Sequence, residues 1–273
     1  MNNPIIPEKT LIPFLNFFNT GTPALALDFD GVISELKQDP QTASIDEYCL
    51  QVIMKLNKIL PNISIISGRN ARDLESKIGL ENLTYIGNHG AEYIKDGKLI
   101  QQSPEGTDLM IKSALDYMKS QTLEINGIFH ENKTISASIH YRGSKDHDNT
   151  KIILTKALKN MPNINKLDVF WGKQILEIRP HSEFNKGYAI KQLIETKKIT
   201  NIIFLGDDTT DVDAMVQIKK LRESGMVSGF SIYVSQDNEM NENLIKNSDY
   251  SINGIKDVRK TLDQIYHHFK SSY

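Results

Sequence analysis

The strongest constraint in this sequence is a series of short, largely apolar runs: ALAL at 24–27, ISII at 63–66, LTYI at 83–86, IIFL at 202–205 and SIYV at 231–234. A strand that is apolar on both sides has to be covered on both faces. Helical patterns separate most of these runs, for example over 45–60 and 186–197. This alternation predicts an α/β fold, a Rossmann-like parallel sheet with helices on its two faces. The chain has 273 residues, 39% of them hydrophobic, enough to bury such a core.

The middle of the chain has a different pattern. A helix is expected at 107–119, followed by alternating segments at 123–130 and 134–141. A second helix at 150–159 precedes strands at 166–170 and 174–178, which flank a turn at Trp171-Gly172-Lys173. Helix–strand–strand thus occurs twice. It predicts a small α+β domain at 104–180, inserted into a core made of 1–103 and 181–273.

Ligands of open parallel sheets bind beyond the carboxyl ends of the strands. The first run is followed by Asp28-Phe29-Asp30-Gly31. Two carboxylates two residues apart share a side of an extended chain, which suits a nucleophile with a general acid/base. A solvated turn or a helix cap would also account for them. The second run leads into Ser67-Gly68-Arg69-Asn70 and a helix, which is either an anion site or an ordinary Ser cap. Lys186 opens a helix, where it opposes the macrodipole and calls for an anionic neighbour. After the fourth run, Asp207, Asp208, Asp211 and Asp213 put four carboxylates within seven residues. That density fits a hard divalent cation better than capping alone.

Bulk properties exclude other classes. Net charge is −2 with both signs nearly balanced, so no basic field draws nucleic acid or an anionic membrane. The single cysteine, Cys49, rules out an intrachain disulfide and reads as core filling. The apolar stretch at 11–18 is broken by Pro13 and Asn16 and reads as an amphipathic cover helix, not a leader or a membrane span. A cytoplasmic monomer that acts on a small molecule is expected.

DFDG, SGR, NKG and GDDTTD, in this order, resemble the motifs of the haloacid dehalogenase-like phosphatases, and the segment between SGR and NKG is similar to their C2-type cap. Within that superfamily the chain resembles the trehalose-6-phosphate phosphatases. The resemblance rests on GNHGAE at 87–92, ENK at 131–133, HYR at 140–142, GK at 172–173, EIRP at 177–180 and GDDTTD at 206–211. It implies a Mg2+-dependent phosphatase acting on a sugar phosphate, with Asp28 as nucleophile, Asp30 as acid/base, and Ser67 and Lys186 as further catalytic residues. It implies metal binding by Asp28, the backbone carbonyl of Asp30 and Asp207, with Asp208 and Asp211 nearby. It also implies substrate contacts by Gly68, Arg69, Asn88, His89, Glu131, Lys133, His140, Arg142 and Glu177. Sucrose 6-phosphate, a mannosyl-3-phosphoglycerate or a non-catalytic sugar-phosphate-binding role are the alternatives. The chain departs from the family at Val32, where a Thr hydroxyl usually supports the first loop, and at Val212, where an acidic residue is common.

Overall fold

The structure is a computed structural model that describes residues 15, 20–37, 39–95, 97–103, 105–181, 184–236 and 241–271. These residues form two compact units, one drawn from 1–36, 43–100 and 184–273 and the other from 37–42 and 101–183. Residues 37–42, grouped with the core in the sequence reading, cluster with the second unit. Apart from Leu15, the expected cover helix at 11–18 lies outside the described residues. Among the described residues, no helix is long and apolar enough to cross a membrane.

The first unit opens with β1 (Pro23–Leu27), α1 (Glu47–Leu56), β2 (Asn62–Ile66), α2 (Ala71–Ile78), β3 (Thr84–Gly87), β4 (Glu92–Lys95) and β5 (Lys98–Gln101). The second contains α3 (Thr107–Gln121), β6 (Phe129–Asn132), β7 (Ala137–His140), α4 (His147–Lys159), β8 (Leu167–Gly172) and β9 (Ile175–Pro180). The chain then returns to the first unit through α5 (Lys186–Lys197), β10 (Asn201–Gly206), α6 (Val212–Glu223), β11 (Ser228–Ser235), α7 (Glu242–Asn247), β12 (Tyr250–Asn253) and α8 (Gly254–Ser271).

The first unit's eight-stranded sheet runs β12-β11-β10-β1-β2-β3-β4-β5. Pairing is parallel from β12 to β3 and turns antiparallel between β3 and β4. Alternation along β1 divides the core. Leu25 and Leu27 join the α1, α2 and α8 side, whereas Ala24 and Ala26 join the α5 and α6 side. Helix α1 shows why these segments are helical. Asp46 caps it by accepting from Cys49 N at 3.0 Å, and Cys49, Val52, Ile53 and Leu56 form its buried stripe. Each fully buried aliphatic side chain contributes about 1.5–3 kcal/mol. Burial also pushes the Cys49 thiol well above its ordinary range, which fits core filling and not nucleophilic work.

The second unit has a four-stranded antiparallel sheet, β6-β7-β9-β8, packed on α3 and α4. Three segments expected here were misplaced. The strand expected at 123–130 begins only at Phe129, because Gly127 takes φ +83 and interrupts the run, and Leu123 is 82% exposed. The strand expected at 134–141 is Ala137–His140, since Thr134 sits in a turn at φ 72. The hairpin turn is Lys173-Gln174, not Trp171-Gly172-Lys173: Gln174 takes φ 55, and Gly172 still pairs with Ile175.

Candidate active site

Strands β1 and β10 pair with Leu27 opposite Leu205, so Asp28 and Asp207 leave the sheet from neighbouring strands. Asp28 N continues the ladder onto Leu205 O at 2.9 Å. One carboxylate oxygen each of Asp28, Asp207 and Asp211 lie within 4.8 Å of one another, and all three residues are buried. Asn185 caps α5 by accepting from Tyr188 N at 2.8 Å, which makes Lys186 the first helical residue. Its Nζ donates to Asp28 Oδ2 at 2.7 Å and to Asp211 Oδ1 at 2.6 Å.

These charges constrain one another. Burial alone would depress the Lys186 ammonium, but Asp211 and Asp28 outweigh it and raise its pKa. Burial drives Asp28 the other way, up to about 7, with Lys186 opposing the rise and Asp211 adding to it. Three buried carboxylates against one ammonium leave a formal charge of −2. The donors are hard oxygens, so the residues present fit a Mg2+-like cation.

The acidic segment is divided between two tasks. Asp211 Oδ2 accepts from Asp207 N at 2.9 Å and Asp208 N at 3.0 Å, while Asp208 Oδ1 accepts from Thr209 N at 2.7 Å. This is a reciprocal cap on the turn Thr209–Asp211. Asp208, expected near the metal, is therefore a cap and is not grouped with the three clustered carboxylates. Gly31 is required at its place: φ is +73, and a Cβ there would lie 2.1 Å from Asp207 Oδ2.

The Asp30 side chain goes elsewhere. Arg69 forks onto it, Nε to Oδ2 at 2.7 Å and Nη2 to Oδ1 at 2.8 Å. The same guanidinium reaches Asp73 Oδ2 at 3.0 Å and lies 5.2 Å from the Phe29 ring centre. Arg69, expected to hold substrate, is engaged by two carboxylates of its own unit. Ser67 is buried, and its Oγ accepts from Arg69 N at 3.3 Å. It is not a helix cap. The cap of α2 is Asn70, which accepts from Asp73 N at 2.7 Å, and Glu92 takes Ala71 N at 2.6 Å. The helix start expected to offer donors to an anion therefore has two of them occupied. Neither Asn70 nor Glu92, though both stand in quoted motifs, was given a role from sequence, although Asn70 before a helical pattern carries an ordinary cap signal.

Asn88 and His89 are buried at φ 46 and 56, a pair of left-handed residues just beyond β3. Asn88 N bonds Arg69 O at 2.8 Å and His89 N bonds Ser67 O at 3.0 Å. The His89 ring lies against Gly68, where a Cβ would come within 2.6 Å of Nε2. Both residues thus brace the Ser67–Arg69 loop.

In the second unit, Glu131 Oε2 bonds His140 Nε2 at 2.9 Å and lies 4.0 Å from Lys133 Nζ. Register puts Glu131 and Glu177 on either side of Ser138, all three on one face of the sheet. Arg142, expected to contact substrate, lies past the end of β7. Its guanidinium donates to Lys37 O at 2.6 Å and Lys173 O at 3.1 Å. Ser138 was not anticipated. A serine within an alternating segment carries no signal of its own.

Over residues 26–250 the chain matches the family model described as trehalose-phosphatase. It is similar to the probable trehalose-phosphate phosphatase G of Arabidopsis thaliana, 29% identical over 265 residues that cover 88% of this chain and 67% of that protein. The trehalose-phosphate phosphatase of Mycobacterium bovis (strain BCG / Pasteur 1173P2) is 28% identical over 199 residues, covering 70% of this chain and 50% of the relative. The chain thus spans between half and two thirds of the length of these curated relatives. Among solved structures, the C-terminal domain of trehalose-6-phosphate phosphatase from C. albicans matches with a TM-score of 0.82. That match covers 97% of this chain and 98% of the other at 21% identity, a likeness of fold.

Proposed function

Because the chain belongs to the trehalose-phosphatase family, of the haloacid dehalogenase-like fold, we propose that it hydrolyses trehalose 6-phosphate to trehalose and phosphate through an aspartyl-phosphate intermediate. The observation that carries this reading is the buried Lys186 bridge between Asp28 and Asp211, with Asp207 beside them.

A phosphate dianion approaching these carboxylates is repelled. At ~4 Å and an effective dielectric near 20, each like-charged pair costs about 4 kcal/mol. Lys186 offsets part of this. Asp28 and Asp207, with the Asp30 backbone carbonyl, would hold Mg2+, with Asp211 beside them and Asp208 capping the turn that carries Asp211. The bound cation supplies charge neutralisation for phosphoryl transfer. Asp28 attacks phosphorus, the bond to the sugar oxygen breaks, and Asp30 gives that oxygen its proton. Asp30 then takes a proton from the water that hydrolyses the acyl phosphate. Arg69, which donates to both Asp30 oxygens, would compete with the sugar oxygen for that carboxyl group. Ser67 and the Gly68 backbone would hold phosphate oxygens, with Asn88 and His89 fixing their loop. Glu131, Lys133, His140 and Glu177 would recognise the sugar, whereas Arg142 is spent on backbone carbonyls of its own unit.

A phosphate-release screen over trehalose 6-phosphate, sucrose 6-phosphate and other sugar phosphates, with and without Mg2+, tests the reading. Turnover of trehalose 6-phosphate is expected with Mg2+, and Asp28→Asn should lower it by at least about 10³-fold. A wild-type protein inert toward trehalose 6-phosphate, or a fully active Asp28→Asn, would reject it.

A further inference from the structure

The turn that carries Asp30 is built almost wholly from its own backbone. Phe29 O receives Val32 N, Ile33 N and Ser34 N at 3.4, 3.1 and 2.9 Å, and Gly31 N bonds Ser34 O at 2.8 Å. Gly31, at its apex, sits in the left-handed region with no side chain to anchor it. Val32 is fully buried, and its side chain has no hydrogen-bonding group. The Gly31 carbonyl is instead met from outside the turn: Gln236 Nε2 donates to it at 2.6 Å. Gln236 is half-buried and follows directly on β11. In the sheet order β10 lies between β11 and β1, so this side chain bridges the width of the strand that leads to Asp207. Two strand spacings, from β11 across β10 to β1, amount to about 9–10 Å. A Gln side chain fixed by such a bond loses rotamer freedom, an entropic loss that a single neutral hydrogen bond scarcely offsets.

The geometry points to Gln236 as a positioning residue for the proposed reaction: by fixing the Gly31 peptide it fixes the turn that presents Asp30. Gln236 touches no reacting atom and acts through the backbone. The inference rests on the proposed phosphatase reading. Its consequence is selective. In the first step Asp30 is needed most when the leaving oxygen is a poor one, as in a sugar, and least when it is a phenolate, whereas the water it activates in the second step is common to both substrates. Gln236 should therefore separate substrates by leaving group.

Gln236→Met keeps the length of the side chain and removes the donor, and Gln236→Glu removes the donor while adding charge. For both, kcat/KM with trehalose 6-phosphate, which reports the first step, should fall about tenfold, the order expected for one lost hydrogen bond. The kcat/KM for p-nitrophenyl phosphate should stay within about twofold. In the metal-free protein, amide hydrogen exchange at residues 31–34 should accelerate in Gln236→Met while exchange in β10 does not. Equal losses in kcat/KM on both substrates, or unchanged kcat/KM and unchanged exchange, would overturn the proposal. An inert wild-type protein would instead reject the phosphatase reading, and the exchange measurement would still decide whether Gln236 orders the turn.

Discussion

In the first unit the ammonium of Lys186 is sealed from solvent and meets two carboxylates, at 2.7 and 2.6 Å. In the second, the Ser138 hydroxyl is as deeply buried but meets no hydrogen-bond partner among the described residues. The contrast follows from the difference between a charge and a dipole. An unpaired buried charge is costly enough to expel itself or its surroundings, so Lys186 exists there only as part of a cluster. An unpaired hydroxyl costs roughly 1–3 kcal/mol, which a well-packed sheet can tolerate. The first site should therefore fail collectively when one member is removed, and the second should respond mildly and locally.

The largest expected effect tests the collective side. Lys186→Met leaves Asp28 and Asp211 buried without their cation and should destabilise the metal-free protein by about 3–5 kcal/mol, read from urea unfolding. Mg2+ should recover part of that loss. A variant as stable as wild type in chelator would mean that the carboxylates do not depend on Lys186.

Proton linkage gives the next effect. The folded state holds the Asp28 carboxyl at about 7 against an ordinary value of 3.8, chiefly through burial. Its contribution to stability is therefore fully present below the unfolded value and lost as pH rises through about 7. In chelator the protein should lose stability between these limits. Mg2+ needs the unprotonated carboxylate, so its affinity should climb over the same range. Calorimetric titration at several pH values checks both signs, and a Mg2+ affinity independent of pH would contradict them.

Glu131→Gln carries the comparison to the second unit. It removes the charge facing His140 and Lys133. KM for trehalose 6-phosphate should rise about tenfold, as for one charge-assisted hydrogen bond, and that for p-nitrophenyl phosphate should hardly change. Parallel changes on both substrates would argue against sugar recognition by Glu131.

The two units also differed in how readily the sequence disclosed them. Runs such as IIFL at 202–205 have one reading in a parallel sheet, and Asp28, Lys186 and Asp207 lie just beyond strands or at a helix start, where that topology places a site. In the second unit an alternating pattern overran its strands, because Gly127 and Thr134 adopt positive φ and the strands begin only after them. Partner choice was not legible in either unit. Asp208 and Asp211 look alike in a run of acids, yet one caps a turn while the other also binds Lys186. Arg69 was expected to contact substrate on the resemblance alone, and its fork onto Asp30 was not legible because a guanidinium pairs with a carboxylate as readily as with a phosphate. Gln236 gave no signal, since its acceptor is a backbone carbonyl 205 residues away.

The smallest effect is the sharpest test of the tolerant side. Ser138 faces Glu131 on one strand and Glu177 on the other, and its Oγ has no partner among the described residues. Ser138→Ala removes a buried hydroxyl with almost no change in volume. The variant should be as stable as wild type or up to about 1 kcal/mol more stable, because only a desolvation cost is lost. A loss of more than about 1 kcal/mol in urea unfolding would mean that the hydroxyl is bonded in the folded protein. The two units would then follow the same rule for buried polar groups, and the contrast between Lys186 and Ser138 would fall.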